Sequence, residues 1–213
     1  MFILYHSLRK PHQEDLLYGK ISVGDSMKYP TKKKSYIHKN THSKLGMTLE
    51  DDINQTNAYY LQKGIANIHK KPTPVQVVSV SYPARNKAKI TEAYYKTPST
   101  TDYNGLYKGR YIDFDCKETK NKTSLPLSNI HIHQQKHLKD IHDKGGLAFL
   151  IVHFKQQNQY FLMPYSSLDP YFNGSMNRKS IPFDAFLKYG HEIPFTYQPR
   201  LDYLKIIDTM LNS

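Results

Sequence analysis

The chain of 213 residues carries 30 Lys and Arg against 18 Asp and Glu, a formal charge of +12, with one cysteine and no tryptophan. That length suits one globular domain with a tail, and 38% apolar residues with 18 Tyr and 9 Phe are too many for a disordered chain. The lone Cys116 excludes an internal disulfide framework and a cysteine-based zinc finger, and no apolar run nears the roughly 20 residues of a membrane-spanning helix. The expectation is a soluble protein of a reducing compartment such as the cytoplasm, with a polyanionic partner and no membrane association.

Residues 27–46 hold six lysines (Lys28, Lys32, Lys33, Lys34, Lys39 and Lys44), no acid and almost no apolar pattern. Residues 1–46 are expected to be a disordered or mobile basic arm, read either as a solvated tail or as a segment that folds onto phosphates. The domain proper is expected over 47–213. Thr48, with Asp51 three residues on, predicts a helix start; Leu49, Ile53, Tyr60 and Leu61 fall near one helical face, and Gly64 stops it. Ile65–His69 and 75–82 read as strands, whereas 83–101 carries no clear pattern.

A second basic stretch, 67–96, combines Lys70, Lys71, Arg85, Lys87, Lys89 and Lys96 with strand-forming residues and a single acid, Glu92. It predicts a structured basic projection, with Lys70, Lys71, Arg85, Lys87 and Lys89, together with Lys44 of the arm, as DNA-contacting residues. Tyr94, Tyr95 and Tyr103 are read as stacking on unpaired bases or as packing in the core. Tyr103 to Lys117 reads as a hairpin, with Asn104-Gly105 and Lys108-Gly109 both carrying turn chemistry. A helix over 130–144 places Ile130, Gln134, His137, Leu138 and Ile141 on one face. Leu147–Phe154 is a buried strand and 160–163 its partner. Helices near 183–188 and 201–211 follow. The order α-β-β-β-α-β predicts an α/β fold, a mixed sheet flanked by helices.

Alternation in Tyr111 to Lys117 sends Ile112, Phe114 and Cys116 to one face and Asp113, Asp115 and Lys117 to the other. Asp102, at the head of the hairpin, is expected to approach Asp115. Cleaving a phosphodiester requires an activated water and charge compensation; a divalent cation on hard oxygen ligands supplies both, and a neighbouring lysine orients the water. Asp102-x₁₂-Asp115-x-Lys117 has the nuclease spacing D…(D/E)-x-K. An exposed, merely charged edge strand would show the same pattern. His131, His133 and His137 lack Asp or Cys partners at zinc-site spacing and are read as surface histidines of the helix.

The blocks Gly46-Met-Thr-Leu-Glu-Asp-Asp-Ile-Asn54, Ile68-His-Lys-Lys-Pro-Thr-Pro-Val75, Ser99-Thr-Thr-Asp-Tyr-Asn-Gly105, Tyr111-Ile-Asp-Phe-Asp-Cys-Lys-Glu-Thr-Lys-Asn-Lys-Thr123 and Gln198-Pro-Arg-Leu-Asp-Tyr203 resemble the RecU family of Holliday-junction resolvases. The resemblance spans about residues 27–210. It implies a restriction-endonuclease-like core with a projecting basic stalk at about 70–96, a homodimer, and Mg²⁺ (Mn²⁺ as a substitute) for nicking opposed strands of four-way junction DNA. It carries the metal site onto Thr100, Asp102, Asp115 and Gln134 and the transition-state-stabilising lysine onto Lys117, with Asp113 behind them. Asp115 stands where the family usually has Glu. Lys70 and Arg85 match positions implicated in junction binding or in modulating a RecA-type recombinase. The family's Arg before the first block is Leu45 here, with Lys44 beside it. Residues 1–26 match nothing in the family and are expected to be a misassigned start or an extension. The competing readings are a restriction-like nuclease for linear duplex, and a non-cleaving protein that anneals strands or regulates the recombinase.

Overall fold

The computed structural model describes residues 48–96 and 100–212. The basic arm with Lys44 and Leu45, and residues 1–26, lie outside the described residues.

Helix α1 (Leu49–Gln62) starts where its sequence signature places it. The Thr48 hydroxyl accepts the Asp51 N–H at 3.2 Å, and the Asp51 carboxylate accepts the Thr48 N–H at 3.1 Å. This is a capping box with Asp in the usual Glu position. Leu49, Ile53 and Tyr60 are buried, while Leu61 has drifted round the helix and is exposed. Strand β1 (Asn67–Lys70) follows.

Strands β2 (Val75–Ser81) and β3 (Lys89–Tyr95) then form a separate two-stranded antiparallel ribbon. β3 lies inside the stretch that carried no readable pattern. Nearly every ribbon residue is exposed on both faces, including Val75, Val77, Val78, Tyr94 and Tyr95. A ribbon without a buried face gives no periodicity to read. The Lys96 N–H donates to Pro74 O at 3.0 Å and closes its base.

Strands β4 (Tyr103–Tyr107) and β5 (Arg110–Thr119) make the expected hairpin. Lys108 and Gly109 have φ of 47° and 75°, the left-handed pair that suits the twist of a tight hairpin. Asn104-Gly105 is not a turn. Gly105 sits within β4, opposite Ile68 and Ile112, and a Cβ there would lie 2.1 Å from Asn67 O. The glycine serves close strand approach, the other reason for a glycine in a strand.

Strand β6 (Ser124–Pro126) leads to helix α2 (Ile132–Asp143), which begins two residues later than expected, leaving Ile132 exposed. α2 crosses to β7 (Leu147–Phe154), parallel to β5. β8 (Gln159–Pro164), α3 (Tyr165–Phe172), β9 (Ser180–Pro182, paired with β6), α4 (Phe183–Tyr189), β10 (His191–Glu192) and α5 (Tyr203–Leu211) complete the fold. The main sheet runs β1-β4-β5-β7-β8-β10. With the ribbon and the short β6 set aside, α1-β1-β4-β5-α2-β7 follows the expected order α-β-β-β-α-β.

β5 and β7 lie inside the sheet, so β7 is apolar on both faces. Phe149 and Ile151 join the core beneath α1 and α5, and Leu150 and Val152 the core beneath α2, α3 and α4. Tyr103, Phe114 and Phe149 stack in succession at 4.9 Å between ring centroids. That settles Tyr103 as core. Arg200 and Tyr203, from the last family-like block, bond Asp52 and Asn57 of α1 at 2.8 and 2.5 Å. Among the described residues, no helix is long and apolar enough to cross a membrane.

Gly105→Ala is expected to destabilise the fold by roughly 1–3 kcal/mol through β1–β4 overpacking, read as a lower urea midpoint. An unchanged midpoint would contradict the close-approach reading.

Candidate active site

β5 delivers the key carboxylates from inside the sheet. Asp113 and Asp115 are both 0% exposed. The open alternative of a solvated, charged edge strand is therefore excluded: β4 and β7 flank β5. Burying a carboxylate costs several kcal/mol unless partners replace its water. The two aspartates meet that cost differently.

Asp113 is fully engaged. The Lys71 ammonium at 2.8 Å, the Tyr111 hydroxyl at 3.0 Å and His137 Nε2 at 3.1 Å converge on its Oδ2, and the Thr101 hydroxyl donates to its Oδ1. Asp115 is not. Its Oδ1 accepts the Cys116 N–H at 2.9 Å, whereas its Oδ2 is buried and accepts no hydrogen bond. Lys117 Nζ lies 3.0 Å from that oxygen, an ion-pair distance without hydrogen-bonding geometry. Burial, reinforced by the neighbouring Asp102 carboxyl, pushes the Asp115 carboxyl up to about 8, against the opposing pull of Lys117. Asp102 and Asp115 therefore meet as the hairpin geometry suggested. Two carboxyls and an orphaned oxygen in a buried setting fit a hard divalent cation, which relieves both the repulsion and the missing bond. Among the described residues no three His, Cys, Asp or Glu side chains group as metal ligands. The carboxylate set is thus a pair, suited to an ion that keeps several waters.

Thr100 lines a cleft of about 330 Å³ together with Asp102, Lys70, Lys71 and Glu50. A second cleft of about 340 Å³ is bordered by Lys117, Cys116, Glu118 and again Glu50. Glu50 was legible only as an acid in the first turn of α1, yet it borders both clefts and pairs with Lys70. Gln134 is buried as expected, but its side-chain oxygen accepts the His131 N–H at 3.1 Å, closing the start of α2. That bond occupies its side-chain oxygen within the helix.

The basic residues divide. Arg85, Lys87 and Lys89 are exposed on or beside the ribbon. Lys70 is paired with Glu50, and Lys71 is turned inward onto Asp113; sequence neighbourhood groups both with the DNA-contacting residues, and for Lys70 the family resemblance does so too. The histidines also differ from a plain surface row. His137 bonds Asp113, and His133 Nε2 is buried without a hydrogen-bond partner. Burial, then His131 and Lys117, lower the His133 pKa, leaving the ring neutral at pH 7. The Cys116 thiol is buried, which pushes its pKa up and keeps it unreactive.

The family model described as Recombination protein U, RecU, matches residues 44–209. A Holliday junction resolvase RecU of Staphylococcus epidermidis is 55% identical over 168 residues, covering 78% of this chain and 81% of that protein. One of Staphylococcus aureus is 54% identical over the same coverage. The solved structure of Hjc from Archaeoglobus fulgidus, described as a Holliday junction resolvase, overlays with a TM-score of 0.36 at 13% identity, over 62% of this chain and 86% of that one. The chain belongs to the RecU family.

The raised Asp115 ionisation has a measurable consequence. The unfolded chain releases this proton in the ordinary carboxylate range, whereas the folded protein holds it to about 8. Between pH 4 and 8 the residue therefore subtracts stability as pH rises. Asp115→Asn removes that penalty. Without metal, the variant is expected to melt above the parent at pH 8, with the gap closing towards pH 4. A parent that melts higher at pH 8 would contradict the assignment.

Proposed function

We propose that this protein is a divalent-metal-dependent endonuclease that resolves four-way DNA junctions by paired nicks. The observation that carries this reading is the buried Asp115 carboxyl, with Asp102 beside it and the Lys117 ammonium 3.0 Å from its Oδ2. Asp102 and Asp115 would hold Mg²⁺, or Mn²⁺ in its place, with Thr100 and Gln134 at its margin. When bound, that ion supplies Lewis-acid charge and acidifies water at neutral pH.

The remaining work falls to the chain's own groups. Lys117, only 14% exposed at its side chain, is held beside the carboxylates with little competition from solvent. It is placed to orient the attacking water and to meet the negative charge that develops on the phosphate. In-line attack by that water leaves a 5′-phosphate and a 3′-hydroxyl. The exposed ribbon carries Arg85, Lys87, Lys89, Tyr94 and Tyr95 outward, where cationic side chains suit backbone phosphates and the rings suit unpaired bases. A homodimer with two-fold symmetry would present two such sites to opposed strands. The family name, and the names of the Staphylococcus relatives, support the junction as substrate; the basic 27–46 arm and a RecA-type recombinase belong to the same reading.

On a synthetic mobile four-way junction with Mg²⁺, Lys117→Ala is expected to cut about 10²–10³-fold more slowly, and Asp115→Asn more slowly still. Both should bind the junction in EDTA like the parent. If either variant cuts as fast as the parent, the site is wrongly assigned. Equal cutting of linear duplex would favour a restriction-like enzyme. Junction binding without cutting in any divalent metal would favour an architectural protein.

A further inference from the structure

The Asp113 cluster does more than neutralise one buried carboxylate. The ribbon leaves the main sheet after Lys70 and returns at Thr100 to Asp102. Lys71 stands on the outgoing root and Thr101 on the returning one. Both side chains bond Asp113, and the Lys71 ammonium also donates to the Thr101 hydroxyl at 3.0 Å. The Lys71 backbone N–H donates to Asp102 O at 2.7 Å. The atoms that secure the ribbon's roots are thus the atoms that fix Asp102. Asp113 lies two residues before Asp115 on the same face of β5, and His137 ties it to α2, the helix of Gln134.

The ribbon forms its own sheet, sharing no ladder with the six-stranded one. Its orientation depends on what happens at its roots, and a buried, charge-assisted cluster makes a stiff connection there. Lys71 is only 19% exposed and Asp113 fully buried, so solvent screens their attraction little.

We propose that Asp113 is a positioning residue that clamps both roots of the ribbon to the catalytic strand, so that seating the ribbon on a branched DNA and setting Asp102 against Asp115 are one coupled event. This rests on the nuclease reading of the Asp102–Asp115 site. It assigns Lys71 to the clamp and leaves phosphate contact to the exposed Arg85, Lys87 and Lys89. Junction selectivity then arises because a substrate that forces the ribbon off its seat pulls Asp102 out of place against Asp115.

The full chain tests this with Asp113→Asn, Lys71→Met, their double variant and Lys71→Arg. Single-turnover cleavage of a four-way junction at saturating protein and Mg²⁺ is expected to fall about 30- to 100-fold in either single variant, the scale of a small misplacement of a reacting group. The double variant should be no slower than the slower single, because the pair acts as a unit. Lys71→Arg should restore the rate to within about threefold by keeping the charged pair. Junction affinity in EDTA should change less than about threefold, since the exposed cations are untouched.

Amide exchange without DNA or metal supplies a readout independent of cutting. Segments 71–78 and 100–103 are expected to exchange roughly tenfold faster in Asp113→Asn and Lys71→Met, with 147–154 unchanged. Slowed cleavage with unchanged exchange at the roots overturns the clamp. Faster exchange with parental cleavage overturns the coupling, as do losses that multiply in the double variant. A parent that binds junctions but cuts none fails the nuclease reading instead, and the exchange result alone then decides whether Asp113 clamps the ribbon.

Discussion

Everything distinctive in this molecule follows from burying two carboxylates on one face of an interior strand. Asp113 and Asp115 are two residues apart in β5 and equally hidden from water. Desolvation on that scale is tolerated only with compensation. Asp113 receives it from four donors drawn from the ribbon roots, from β5 itself and from α2. Asp115 receives one backbone N–H and an imperfect ion pair, and its second oxygen is left wanting. One acid is bonded on both oxygens; the other keeps an oxygen that accepts no hydrogen bond.

The strand withstands this because its opposite face is tightly packed. Ile112 and Phe114 are fully buried, and Phe114 is stacked between Tyr103 and Phe149. α1 and α5 cover that layer, joined by the Tyr203–Asn57 bond, and Arg200 just ahead of α5 bonds Asp52 of α1. The polar site is therefore carried by a rigid apolar layer, which is what preorganised electrostatics require. The ribbon is the opposite case: it has no buried face, and an isolated two-stranded ribbon is marginal in water. Its attachment at the roots matters correspondingly more.

The legible parts of the fold were those whose signal is local. Thr48 with Asp51, the Lys108-Gly109 turn and the unbroken apolar run 147–152 each carry their own instruction, and each appears where read. The misread parts depend on partners distant in sequence. Gly105 has turn chemistry, but its reason is the backbone of Asn67 and Ile68 across the sheet. β3 gave no pattern because neither face is buried. α3 lies where Pro170 discourages a helix, yet Tyr165, Leu168 and Tyr171 are buried against the sheet. Tertiary burial outweighs local propensity there.

At the site, the sequence by itself determined which chemistry was on offer: alternation in β5 set Asp113, Asp115 and Lys117 on one face, and the hairpin returned Asp102 towards them. Backbone geometry imposes that much, whatever surrounds the strand. Only the tertiary structure decided how the acids differ. Asp113 is satisfied because Lys71, Thr101 and His137 arrive from three separate places in the chain, whereas Asp115 has at its second oxygen only the Lys117 ammonium of its own strand. Alternation says which way a side chain points; desolvation and the partners that answer it depend on every element packed above it, and those are assembled only when the chain folds.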